Sequence, residues 1–186
     1  MLETNDEVIE INFNVLLKDF ELGDSFTSDF VCTKRDGSLM VRECMLGRDI
    51  TDYGLGKFAE VGFSLITIRD GNLKMKDKYP KVYAEKLLYL KEGQYSPNHF
   101  HWYKTEDIIN RGGGNVLIRV YNFFPNEEID YESEVTVMTD GRKYKVPAGT
   151  QIRLTPGESI HIYQRLYHDF EVEPGTGNVL LGEVSQ

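Results

Sequence analysis

The chain is poor in cysteine, histidine and long apolar runs, and each shortage excludes something. Of its 186 residues only two are cysteines, Cys32 and Cys44. Two thiols without metal-type spacing make neither a disulfide framework nor a zinc knuckle, so reduced thiols in a cytoplasmic protein are expected. No stretch approaches the roughly 20 apolar residues of a membrane span. The opening MLETNDEVIEINF is acidic and carries no apolar run of signal length. Positive charge is also short: 21 Lys and Arg stand against 30 Asp and Glu, a formal net charge of −9. That field repels nucleic-acid backbones and anionic membranes, so neither is an expected partner. Repeats, low-complexity segments and linkers are absent as well, so one domain over residues 1–186 is expected.

What is present is the punctuation of an all-β protein. Asp36-Gly37, Asp70-Gly71 and Asp140-Gly141 separate segments rich in β-branched and aromatic residues, a hairpin signal. Predicted strands run over 61–69, 82–90, 115–124, 134–138, 142–146, 151–154, 159–163 and 178–185. Short strands at that spacing suggest a sandwich or a double-sheet barrel. Helix is expected only near Val15–Phe20 and as a turn at Glu106–Asn110, capped by Thr105 and stopped by Gly112-Gly113-Gly114. Residues 1–44 are less regular and read as an arm or edge strands beside a barrel over about 45–185.

The chain has four histidines, and two of them fall in NHFHWYKTED, residues 98–107. On a strand, His99 and His101 point to one face. Imidazole binds Mn, Fe, Co, Ni and Zn, and Glu106 could add an oxygen ligand beyond a turn. Alone, His-x-His also fits two surface histidines on a strand. Three facts tilt it toward a metal site: Gly93 and Gly113 flank the block, Gly157 and His168 recur in a matching frame downstream, and all four histidines lie in these two blocks.

The spacing Gly93, His99, His101, Glu106, Gly113 resembles the first motif of the cupin superfamily. Gly157 and His168 fit part of the second motif. Tyr163-Gln164-Arg165 stands where that motif has Pro-x-Gly, and Val172 where it has Asn. The resemblance implies a cupin double-stranded β-helix, a jelly-roll-like barrel with few short helices. It also implies metal ligation by His99, His101, Glu106 and His168. His161 has no place in the pattern; it alternates with Ile160 and Ile162 and reads as a wall or surface residue.

A narrower resemblance is carried by residues 45–65, AEKLLYL (84–90), SPNHFHWYKTEDIINRGGGN (96–115), TPGESI (155–160), LYHDF (166–170) and GEVS (182–185). These look like D-lyxose ketol-isomerases over about 45–185; residues 1–44 do not look like the helical N-terminus of that group. Many members continue past GEVS with an acidic, polar tail, whereas this sequence stops one residue after it. The resemblance implies an aldose–ketose isomerase interconverting D-lyxose with D-xylulose and D-mannose with D-fructose. It further implies a divalent metal, usually manganese, and a homodimer.

Two charged residues interrupt apolar rows. Lys86 shares strand parity with Val82, Ala84, Leu88 and Leu90, which places it in a cavity or leaves it snorkelling from an edge strand. Glu183 alternates with Val179 and Leu181, and on pattern alone reads as solvated near the terminus. By resemblance both become catalytic: Lys86 stabilises charge developing on the enediolate oxygens, and Glu183 transfers the proton. Phe100, Trp102, Tyr103 and Tyr167 could wall a sugar site or pack a barrel, and DYGLG (52–56) could be a loop beside the site. Two alternatives stay open on the residues, a non-catalytic sugar-binding cupin and an Fe(II) dioxygenase. A phosphosugar enzyme is disfavoured, because no phosphate cradle is visible.

Overall fold

In the computed structural model the described residues are 9–12 and 29–32, by backbone, and 43–186 in full. The expected helix at Val15–Phe20 and the turn at Asp36-Gly37 lie outside them. Strands β1 (Ile9–Asn12) and β2 (Asp29–Cys32) form an antiparallel pair. Then follow β3 (Gly47–Thr51), β4 (Phe63–Arg69), β5 (Ala84–Leu90), β6 (Tyr95–His99), β7 (Glu106–Gly113) and β8 (Val116–Phe123). The series continues with β9 (Ile129–Asp130), β10 (Val135–Thr139), β11 (Arg142–Val146), β12 (Gln151–Leu154), β13 (Ser159–Ile162), β14 (Tyr167–Val172) and β15 (Val179–Ser185).

Apart from the β1–β2 pair, these strands make two antiparallel sheets. One has eight strands in the order β11-β10-β13-β7-β15-β5-β4-β3; the other runs β12-β8-β14-β6, with β9 paired to β8. From β5 to β8 and from β11 to β15 consecutive strands alternate between the sheets, as in the jelly-roll barrel that the cupin resemblance implies. Alternation explains the layering: Val135 and Val137, Ile160 and Ile162, Leu88 and Leu90, Val179 and Leu181 face inward from the large sheet. Val116, Ile118 and Val120, Ile152 and Leu154, Phe170 and Val172 meet them from the smaller one. Fully burying one such side chain contributes about 1.5–3 kcal/mol.

Two sequence expectations fail locally. The predicted helical turn at Glu106–Asn110 is the start of strand β7, hydrogen-bonded to β13 on one side and β15 on the other. A local cap-and-stop pattern is overridden by two ladders of tertiary pairing. Asp70-Gly71 does not turn a tight hairpin either, because β4 ends at Arg69 and β5 begins at Ala84. The connection holds a 3-10 turn, Leu73–Met75, and Gly71 is needed for close passage: a β-carbon there would lie 1.8 Å from the carbonyl oxygen of Lys81. Asp140-Gly141 behaves as expected. Both residues have positive φ, 47° and 76°, and they join β10 to β11.

Candidate metal and active site

Along several strands the inward row changes from apolar to polar at the same end of the barrel. On β15 the row runs Val179, Leu181, Glu183; on β5 it runs Leu90, Leu88, Lys86; on β7 Ile108 gives way to Glu106. Register places Glu183 opposite Lys86 on one neighbour and opposite Ile108 on the other. From the smaller sheet, His168 of β14 pairs directly with His99 of β6. His101 and Lys104 sit on the crossing from β6 to β7. That crossing is fastened by the backbone N–H of Arg165, which donates to the His101 carbonyl at 2.8 Å, and by Gln164 Nε2, which donates to the Tyr103 carbonyl at 2.7 Å. The site therefore bridges the two sheets.

His99, His101 and His168 each offer a ring nitrogen within 4.8 Å of the others, a group that could hold a metal ion. Nδ1 of His99 lies 2.7 Å from the Pro97 carbonyl, and Nδ1 of the fully buried His168 lies 3.0 Å from the Leu166 carbonyl. A carbonyl only accepts, so each Nδ1 carries the proton and each Nε2 presents a lone pair. His168 Nε2 is 3.1 Å from Glu106 Oε1 yet makes no hydrogen bond, and His101 Nε2 is 3.5 Å from the same oxygen. A buried lone pair facing a buried carboxylate calls for a shared cation. The donor set of imidazole nitrogens and one carboxylate oxygen fits a divalent transition metal.

Glu106, with a side chain 3% exposed, also meets Lys104 Nζ at 2.5 Å. Burial pushes its carboxyl up, but the His101 and His168 contacts and the Lys104 ammonium outweigh burial and hold it well below the usual range. Glu183 sits 3.0 Å from both Lys86 Nζ and Lys104 Nζ through Oε1. There too burial raises the carboxyl, and the two ammonium groups, Lys104 foremost, bring it below its ordinary value. For Lys104 burial works against the charge, and Glu183 and Glu106 overcome it, so its ammonium is held above the ordinary value. Burial, and then the neighbouring His168, lowers His99 from 6.5 to about 4, so its ring is neutral near pH 7.

All six residues singled out from the sequence, Lys86, His99, His101, Glu106, His168 and Glu183, thus meet at one end of the barrel. Lys104 was missed. It lies on an irregular crossing, where strand parity says nothing; its position two residues before Glu106 was the available signal. His161 lies apart on the outer face, with Nδ1 2.8 Å from Asp107 Oδ1, opposite which it is registered. Phe100 contacts Trp102, Tyr167 and Phe123, and Trp102 also meets Phe123. The aromatic ring against the histidines is instead Tyr53 of DYGLG, 5.9 Å from His99 between centroids. In the altered second motif, Arg165 occupies the glycine slot with φ 64°, so the left-handed turn before His168 survives without glycine. A groove of about 1040 Å³ opens beside Lys86 and Lys104 and is walled also by Asn72, Leu73, Tyr83 and Ser185.

Fold and site together define a β-barrel of cupin type with a three-histidine centre. The family model for D-lyxose isomerase matches residues 2–186, and the chain belongs to that family. The match takes in residues 2–44, which the sequence resemblance had left outside. A D-lyxose/D-mannose isomerase of Escherichia coli O157:H7 is 48% identical over 145 residues, 78% of this chain and 63% of that protein. One from Serratia proteamaculans is 46% identical over the same shares. The chain thus spans 63% of the length of these curated relatives. Among solved structures, the L-ribose isomerase of Geodermatophilus obscurus is similar with a TM-score of 0.48 and 16% identity, covering 68% of this chain and 61% of that one. Among the described residues no helix is long and apolar enough to cross a membrane.

Proposed function

We propose that the chain is a metal-dependent aldose–ketose isomerase for unphosphorylated monosaccharides, interconverting D-lyxose with D-xylulose and D-mannose with D-fructose. The observation that carries this reading is the Glu183 carboxylate, held by Lys86 and Lys104 at the edge of a three-imidazole cluster. Family membership and the relatives' names supply the sugar.

The reaction moves a proton between C2 and C1 of an open-chain sugar while the O2 proton leaves and one returns to O1. Glu183, kept ionised by its two lysines, takes the C2 proton and returns it to C1. The ammonium groups of Lys86 and Lys104 hold the negative charge that develops on the enediolate oxygens between the two transfers. A divalent ion, manganese in this reading, would be held by His99, His101, Glu106 and His168 and would supply Lewis acidity to the sugar oxygens. A single domain over 1–186, a homodimer and a cytoplasmic setting belong to the same proposal. The net charge of −9 stands against nucleic-acid and membrane partners.

The test is a panel of pentoses and hexoses offered to chelator-stripped protein reloaded with Mn, Co, Ni, Zn or Fe(II), with product detection. Conversion of D-lyxose to D-xylulose is expected, and most strongly with Mn. No conversion of any sugar with any metal overturns the reading.

A further inference from the structure

The turn that presents Tyr53 is built by its neighbours. The Asp52 carboxylate accepts from the backbone N–H groups of Gly54 at 2.9 Å and Lys57 at 3.0 Å, and Thr51 Oγ1 accepts from the Tyr53 N–H at 3.2 Å. Gly62 seats the base of the turn, since a β-carbon there would lie 1.8 Å from the Thr51 carbonyl oxygen. Tyr53 itself has φ 58°, a left-handed conformation that glycine or asparagine adopts at less cost. Strained non-glycine residues of this kind concentrate at functional sites. The turn does not need a tyrosine; the ring and hydroxyl are what the residue adds.

That ring is fixed on three sides. It meets Phe63 edge-on at 6.3 Å, lies 5.9 Å from His99, and its hydroxyl is 2.5 Å from the oxygen of the fully buried Ser96 on β6. Phe63 in turn stacks on Phe170 at 5.8 Å, which roots the contact in the core. Yet Tyr53 remains 40% exposed. Burial, and after it the carboxylates of Glu106 and Glu183, push its hydroxyl up, so the phenol feels the charges of the site. With the hydroxyl engaged by Ser96, the aromatic ring is what Tyr53 sets beside His99.

Resting on the isomerase reading above, we propose that Tyr53 is a specificity-determining residue whose ring packs against the sugar's carbon chain beyond the two reacting carbons. The reacting end must lie within reach of Glu183 and the imidazoles. The rest of the chain presents C–H groups, which aromatic faces accept. Pentose and hexose differ there by one carbon, so this contact sets their ratio.

The test compares wild-type protein with Tyr53→Ala and Tyr53→Phe, all loaded with manganese, on D-lyxose and D-mannose. Tyr53→Ala is expected to raise KM at least tenfold and to change the ratio of the two kcat/KM values at least threefold, with manganese affinity within twofold of wild type. Tyr53→Phe is expected to keep the ratio within twofold. Tyr53→Leu, apolar without an aromatic face, replaces the alanine variant if that one does not fold, with the same expectation. An unchanged KM and ratio overturns the proposal. So does a tenfold loss of manganese affinity at an unchanged ratio, which would make Tyr53 a support for His99. Should wild type convert no sugar, the isomerase reading fails on its own. Calorimetric titration of D-lyxose into wild type and Tyr53→Ala then decides on Tyr53, where equal affinity, or none in either, overturns it.

Discussion

The ammonium of Lys104 lies 3.0 Å from Oε1 of Glu183, the oxygen that Lys86 also reaches at 3.0 Å. The same ammonium contacts Glu106 at 2.5 Å, so one cation spans the proposed metal ligand and the proposed base. Lys104→Met removes it and leaves two buried carboxylates with less compensation. The Glu183 carboxyl then rises from its depressed position, because the cation that most lowers it is gone. The acid limb of the kcat/KM profile is therefore expected to move to higher pH, with kcat lower by about 10²–10³-fold. A pH–rate profile measures both. An acid limb that stays in place would remove Lys104 from control of Glu183.

Glu183→Gln keeps the shape and burial of the side chain but cannot accept a proton. Turnover is expected to fall by about 10²–10⁴-fold, the range ascribed to a positioned base. Metal content, measured by elemental analysis, is expected to stay at the wild-type level, because Glu183 is not among the ligating groups. Near-normal turnover would sink the assignment.

His168→Ala opens the metal cluster at its most buried member, the ring whose Nε2 has no hydrogen-bond partner. The variant is expected to lose bound metal and the thermal stabilisation that metal gives the wild type. That stabilisation is about 2.7 kcal/mol when free metal is a hundred times its Kd. His161→Ala is the contrast. Its ring makes an outer-face pair with Asp107, and exposed pairs contribute about 0–1 kcal/mol. Metal content and activity are expected to be unchanged, and loss of metal in this variant would contradict the placement of the centre.

How much of this was legible in the sequence depends on whether a residue sits on a strand. Lys86 and Glu183 each break an apolar row of period two, but pattern alone leaves Lys86 open between a cavity and an edge and reads Glu183 as solvated, so the family resemblance is what carries both to the site. Glu106 was legible by spacing, although its strand was read as a helical turn, because the two ladders flanking β7 come from residues far along the chain. Lys104 and Tyr53 lie on a crossing and a turn. There, side-chain direction is set by backbone contacts such as Arg165 to His101 and Asp52 to Lys57, which no periodicity encodes. Phe100 and Trp102 drew attention by proximity in sequence, but alternation sends Phe100 to the face opposite His99, where it packs on Phe123 and Tyr167.

Acid is expected to destabilise the metal-free protein in two windows with different owners. His99 titrates at about 4 in the folded chain against an ordinary value of 6.5. Between those values the unfolded chain binds more protons than the folded one, so stability falls as pH falls through this window and His99 adds no further loss below it. Glu106 and Glu183 are depressed carboxylates, whose contribution is present above about 4.5 and is lost as pH drops further. Thermal unfolding in the presence of chelator should therefore show a midpoint that declines from pH 6.5 to 4 and then continues downward. His99→Gln cannot take up the proton, so its decline over the upper window should be shallower than that of wild type, while the lower window stays the same. Identical curves for the two proteins between pH 6.5 and 4 would mean that another group owns that window.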